Sequence, residues 1–102
     1  MAKKSLVLQR SRWDIMATVL EIAKRPESKT HVMYRANLSF RQLERYLELL
    51  LEKGFLKVLE ASQSRAAKLF VTTEKGLSFL EAYHRLEEIV SGKKVASTFG
   101  FP

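Results

Sequence analysis

One stretch limits the possible folds more than any other: Thr30-His-Val-Met-Tyr-Arg-Ala-Asn-Leu-Ser-Phe-Arg-Gln-Leu-Glu-Arg-Tyr-Leu-Glu-Leu-Leu-Leu-Glu-Lys-Gly54. It reads as a short helix, a tight turn and a longer helix with a defined start. Ser39 is placed to cap the second helix, its hydroxyl accepting from the free N–H three residues on. Gln42 stands where its side chain can reach back, which completes a capping box. Leu38 before the cap and Leu43 inside the helix have the spacing of a hydrophobic staple. A short helix followed by a sharply started longer one is the helix-turn-helix layout, whose second helix enters the DNA major groove. Two arginines, Arg41 and Arg45, stand near that start.

Charge supports the same reading. The chain of 102 residues has a formal net charge of +7, and the distribution matters more than the total. Residues 1–12 hold Lys3, Lys4, Arg10 and Arg12 with no acid. Residues 24–45 hold Lys24, Arg25, Lys29, Arg35, Arg41 and Arg45 against Glu27 and Glu44. Most of the acids gather farther on, at Glu48, Glu52, Glu60, Glu81, Glu87 and Glu88. A basic footprint over the helix-turn-helix is what a polyanion-binding surface needs.

The flanking segments extend the pattern. Ser11 and Asp14 signal a first helix over about residues 12–24, with Ile15, Met16, Val19, Ile22 and Ala23 on one face and Asp14, Thr18 and Glu21 opposite. Pro26 disfavours helical geometry at the residue before it and ends that helix. The second helix covers residues 29–36, with Val32 and Met33 inward, and Asn37 suits the turn because it tolerates left-handed geometry. The third helix runs from Phe40 to about Lys53. Leu43, Tyr46, Leu47 and Leu50 share its inner face with Phe40 and Leu51, and Arg41, Arg45, Glu48 and Glu52 lie opposite. Gly54 is a natural stop. Two β-prone runs, 55–59 and 67–72, flank a polar connection and read as a hairpin, with Leu56, Val58, Leu69 and Val71 as inward positions. Thr73 opens a last helix to about Val90. Trp13 and Tyr34 are expected at core or packing edges, Tyr34 alternatively offering its hydroxyl to a phosphate.

The expected fold is therefore mainly α with a small β-hairpin, in the order α-α-α-β-β-α of a winged helix-turn-helix. The expected domain spans residues 12–90, between a basic arm at 1–11 and a tail at 91–102. That tail is either irregular or packed through Phe99 and Phe101. The wing tip would carry Gln63, Ser64, Arg65 and Lys68 to the sugar-phosphate backbone, where contacts position a protein without reading sequence. The expected DNA-binding residues are Lys29, Arg35, Ser39, Arg41, Gln42, Arg45, Arg65 and Lys68. Gln42 and Ser39 do double duty as caps. In the last helix Phe79, Tyr83, Leu86 and Val90 are spaced four, three and four, a heptad seam. Leu77, Leu80 and Ala82 add a second apolar set. One small core does not need both, so the seam is the expected homodimer interface.

Met33-Tyr-Arg-Ala-Asn-Leu-Ser39, followed by Leu43, Tyr46-Leu47, Leu50-Leu51 and Glu52-Lys-Gly54, resembles the archaeal winged-helix proteins typified by the ten-kilodalton chromatin-associated DNA-binding proteins and related transcriptional regulators. The resemblance covers about residues 12–90. It implies a winged helix whose C-terminal helix pairs with its copy in an antiparallel coiled coil, giving a dimer with two DNA-binding heads.

Other chemistry finds little support. There is no cysteine and a single aspartate, so nucleophilic and metal sites have few members to draw on. His31 and His84 lack ligand spacing, and the four glycines form no phosphate loop. An enzyme is not expected, nor a cofactor, nor a small-molecule substrate. No apolar run approaches transmembrane length, and Leu6-Val-Leu8 is too short for a signal-peptide core. The expected partners are double-stranded DNA and a second copy of the chain, without a membrane, in the cytoplasm and associated with the nucleoid. The competing reading is a winged-helix protein-interaction module without direct DNA binding, since fold alone does not fix function. An RNA-binding role would call for clustered stacking aromatics on a sheet, and none is visible.

Overall fold

The computed structural model describes residues 10–60 and 68–92. Along the chain these form α1 (Arg12–Ile22), β1 (Glu27–Ser28), α2 (Lys29–Ala36), α3 (Phe40–Glu52), β2 (Leu56–Glu60), β3 (Lys68–Thr72) and α4 (Glu74–Ser91). The strands make one antiparallel sheet in the order β1-β3-β2. β1 was not legible as a strand. It is two residues long and exists because the chain leaves Pro26 extended, laying Glu27 opposite Phe70 and Ser28 opposite Leu69.

Each helix begins on a side-chain cap, so one of its free N–H groups is satisfied locally. Ser11 and Asp14 cap α1 reciprocally, as Ser39 and Gln42 cap α3, while Ser28 and Thr73 cap α2 and α4. Two of the helices end on left-handed residues. Asn37, at φ 57°, lets its own N–H and that of Leu38 bond back to the carbonyls of Tyr34 and Met33. Gly92, at φ 75°, follows α4. Gly54, just past α3, is also left-handed.

α1 lies at the centre. Ile15, Met16, Ala17, Val19, Leu20 and Ala23 are all buried, a wider apolar surface than one stripe, because α2, α4 and β3 pack around it. Val32, Ala36, Leu38, Leu43, Leu47, Leu50, Leu56, Phe70 and Leu80 complete the core. Leu38 and Leu43, the staple pair, both lie in it.

The hairpin pairs Leu56 with Thr72 and Val58 with Phe70. Residues opposite in register share a face of the sheet. Leu56, Phe70 and Thr72 are accordingly the buried positions, whereas Leu69 and Val71 are half-buried on the other face and Val58 is exposed. The expected inward set was thus one residue out of step on β3. Apolar alternation favoured Leu69 and Val71, but the inward place belongs to a threonine. The Thr72 hydroxyl donates to the Leu20 carbonyl at 2.7 Å and its N–H to the Ala23 carbonyl at 2.8 Å. Both carbonyls sit at the end of α1, where helical donors run out. Thr72 therefore buries a polar group with its partner supplied.

Candidate nucleic-acid interface

The outer strip of α3 is divided by charge. Arg41 and Arg45 occupy its first half, Glu48 and Glu52 its second, and all four are exposed. Arg41 and Arg45 are one turn apart, about 6 Å along the axis. Among the described residues no ion pair engages Arg35, Arg41 or Arg45. The aligned peptide dipoles add partial positive charge at the same end. The start of α3 thus presents a positive tip and its far end a negative one.

Ser39 and Gln42 fix that tip. The Ser39 hydroxyl accepts from the Gln42 N–H at 3.1 Å, and the Ser39 N–H donates to the Gln42 side-chain carbonyl at 3.0 Å. Their oxygens are engaged in shaping the helix start.

Lys29 and Phe40 depart from the simple picture. The Lys29 ammonium pairs with the Glu44 carboxylate and sits over the Phe40 ring, 5.1 Å from its centroid. Its charge is answered within the chain, and it ties the start of α2 to α3. Phe40, expected on the inner face, is 59% exposed. It is the first helical residue, and its ring lies under the Lys29 ammonium rather than in the core. Trp13 and Tyr34 are also largely exposed; Trp13 keeps a packing edge with its ring 6.4 Å from that of Phe79.

Arg10 is a contact that charge counting did not identify. Its guanidinium donates to the carbonyls of Ala36 and Asn37 at 3.1 and 3.3 Å, where α2 ends and the turn begins. The only local sign was a cation near Ser11, and its partners lie 26 and 27 residues away. On the wing, Lys68 is exposed and stands opposite Glu60 across the hairpin. Arg65, Gln63 and Ser64 lie outside the described residues, as do the arm to residue 9 and the tail from residue 93.

The seam of α4 is split. Phe79 and Tyr83 turn into the chain: Phe79 packs 5.2 Å from Phe55 and stacks on Tyr83 at 6.4 Å. Leu86 and Val90 are 56% and 76% exposed, and Ile89 joins them at 74%. Of the second apolar set, Leu80 is buried, whereas Leu77 and Ala82 are exposed. Among the described residues no group of histidine, aspartate and glutamate could hold a metal ion. No described helix is long and apolar enough to cross a membrane.

Three helices, a turn opened by a left-handed asparagine, a hairpin and a closing helix define a class. The chain belongs to the winged helix-turn-helix family, whose description matches residues 9–91. An uncharacterized protein of Methanocaldococcus jannaschii is 31% identical over 86 residues, covering 83% of this chain and 81% of its own length. Among solved structures, Sso10a-2, a DNA-binding protein from Sulfolobus solfataricus, superposes with a TM-score of 0.67. It is 24% identical and covers 91% of this chain and 99% of its own. A MepR mutant of S. aureus bound to an oligodeoxyribonucleotide superposes with a TM-score of 0.68 at 12% identity, covering 91% of this chain and 67% of its own. At such identities the structural matches speak for the fold. They agree with the archaeal winged-helix resemblance carried by residues 33–54.

Proposed function

We propose that this chain binds duplex DNA as a homodimer, acting as a transcriptional regulator or a chromatin-associated protein. In this reading α3 enters the major groove, the wing lies on the backbone, and the protein works in the cytoplasm at the nucleoid. The observation that carries the reading is the positive tip of α3, where Arg41 and Arg45 are exposed and free of ion pairs among the described residues. A protein-interaction module would favour an acidic tip, but there Glu44 is taken up by Lys29, and Glu48 and Glu52 lie farther along the helix than Arg41 and Arg45.

Arg41 and Arg45 take the base edges, because an arginine fork can pair with guanine. Arg35, Arg65 and Lys68 act on phosphates. Lys29, Ser39 and Gln42 hold the helices that present these groups. The second copy docks on α4 through Leu86 and Val90, where the seam is exposed. Phe79 and Tyr83 underlie that surface from within the chain. Two heads on one duplex face would require half-sites about one helical turn apart.

Mobility shifts of the full chain at two salt concentrations test the reading. About six to eight phosphate contacts per dimer give a slope of log affinity against log salt of roughly −5 to −7. No shift at low salt, or a slope near zero, overturns it. Arg45→Ala should relax sequence preference by about 1–3 kcal/mol per lost base contact, while Arg65→Ala should weaken all sequences alike. Equal, sequence-blind losses would favour an architectural role. No loss from either variant would refute the residue assignment.

A further inference from the structure

We infer that Phe40 is a base-reading residue that packs its ring on the C5-methyl group of thymine in the major groove, an inference that rests on the proposed insertion of α3. Phe40 is the first residue of α3 and is 59% exposed, although it is an aromatic side chain on a small domain with a core to fill. The first residues of a recognition helix are the ones that reach base edges. A side chain at this position leans toward the helix N-terminus, hence toward whatever the tip meets.

The surroundings of the ring say what it offers. Lys29 sits over it, and Glu44 neutralises Lys29. These three residues come from two helices and form a braced patch with no net charge, beside the positive strip of Arg41 and Arg45. Such a patch adds no net charge to attract a phosphate. The Lys29 ammonium takes one side of the ring, and what the patch presents is the remaining exposed apolar surface of Phe40. In the major groove the apolar feature is the thymine methyl, and aromatic side chains are suited to contact it. At 100° per residue Phe40 stands to one side of Arg41. The arginines would therefore read guanine while Phe40 reads a thymine beside it.

The test uses paired duplexes of identical sequence, one made with thymine and one with deoxyuridine, which lacks only the methyl. A random-sequence pool prepared in both forms serves where no target is known. The full-length wild type should bind the uracil duplexes more weakly, by about fourfold per methyl buried. Phe40→Ala should bind both forms equally, at about the wild-type affinity for uracil duplexes. Because Phe40 is exposed, circular dichroism of the variant should match the wild type. Equal wild-type binding to the two forms overturns the assignment of Phe40 while leaving DNA binding standing. So does a uracil penalty that persists in Phe40→Ala. Failure to bind either duplex at low salt overturns the inference together with the DNA-binding reading beneath it.

Discussion

The Tyr83 hydroxyl donates a hydrogen bond to the Asp14 carboxylate, joining the middle of α4 to the first turn of α1. The same carboxylate accepts from the Ser11 N–H at 3.0 Å and so completes the cap of α1. One aspartate thus starts a helix and holds the helix proposed to carry the second copy. Asp14 sits on the face of α1 that hydropathy alone assigns to solvent.

The Tyr83 bond, and after it the Ser11 N–H, hold the Asp14 carboxyl below its ordinary value of 3.8. Burial, and then the Asp14 bond, push the Tyr83 phenol above the ordinary 10. A carboxyl depressed in the fold stabilises fully above its unfolded value, and that gain is lost as pH falls through the folded value. A phenol raised in the fold stabilises fully below its unfolded value and loses the gain as pH rises through the folded one. Tyr83→Phe should cost about 1 kcal/mol at neutral pH. The gap to wild type should narrow on acidification to about pH 2.5. Urea unfolding at the two pH values measures this, and a gap that does not change with pH counts against the bond.

Ser39 and Arg41 separate stability from binding. Ser39→Ala removes the acceptor for the Gln42 N–H and should lower stability by about 1 kcal/mol. Arg41→Ala removes an exposed group and should leave stability within about 0.5 kcal/mol of wild type, while weakening DNA binding. Thermal melts and mobility shifts on the same two variants would reverse in rank.

Gly76 should resist substitution despite its place in a helix. Alanine is intrinsically better there by about 1 kcal/mol. A Cβ at this position, however, would collide with the Phe55 carbonyl oxygen and lie 2.6 Å from Thr72 Cγ2. The Phe55 carbonyl also accepts from the Thr73 N–H, so the backbone is not free to retreat. Gly76→Ala should therefore destabilise by roughly 2 kcal/mol, as overpacking does. A melting temperature equal to or above wild type would disprove the close approach.

Replacing Leu86 and Val90 together with glutamate should leave the monomer folded, since both are exposed. Light scattering should then give half the wild-type mass, and DNA affinity should fall as the second head's avidity is lost. An unmodified protein that is monomeric at tens of micromolar would rule out this dimer.

What the sequence determined by itself was decided within four residues along the chain. Ser11 with Asp14, Ser39 with Gln42, and Thr73 with Gly76 are cap-to-turn relations, and each starts its helix where the residues said it would. Asn37 and Gly54 mark ends by their own tolerance of left-handed backbone. The 3.6-residue rhythm of Leu43, Leu47 and Leu50 placed the inner face of α3, and with it the outward Arg41 and Arg45. The tertiary structure decided whatever joins distant residues. Phe40 left the core for the helix tip, and Lys29 took Glu44 rather than standing free. β3 turned Phe70 and Thr72 inward because two orphan carbonyls at the end of α1 needed a donor. Glu27 and Ser28 became a strand only because β3 had an open edge beside them. Phe79 and Tyr83 divided the seam of α4 by finding Phe55 and Asp14. Local steric and hydrogen-bonding preferences are properties of a short window of chain, so they can be read along it. A partner tens of residues away is fixed only when packing brings the two segments together.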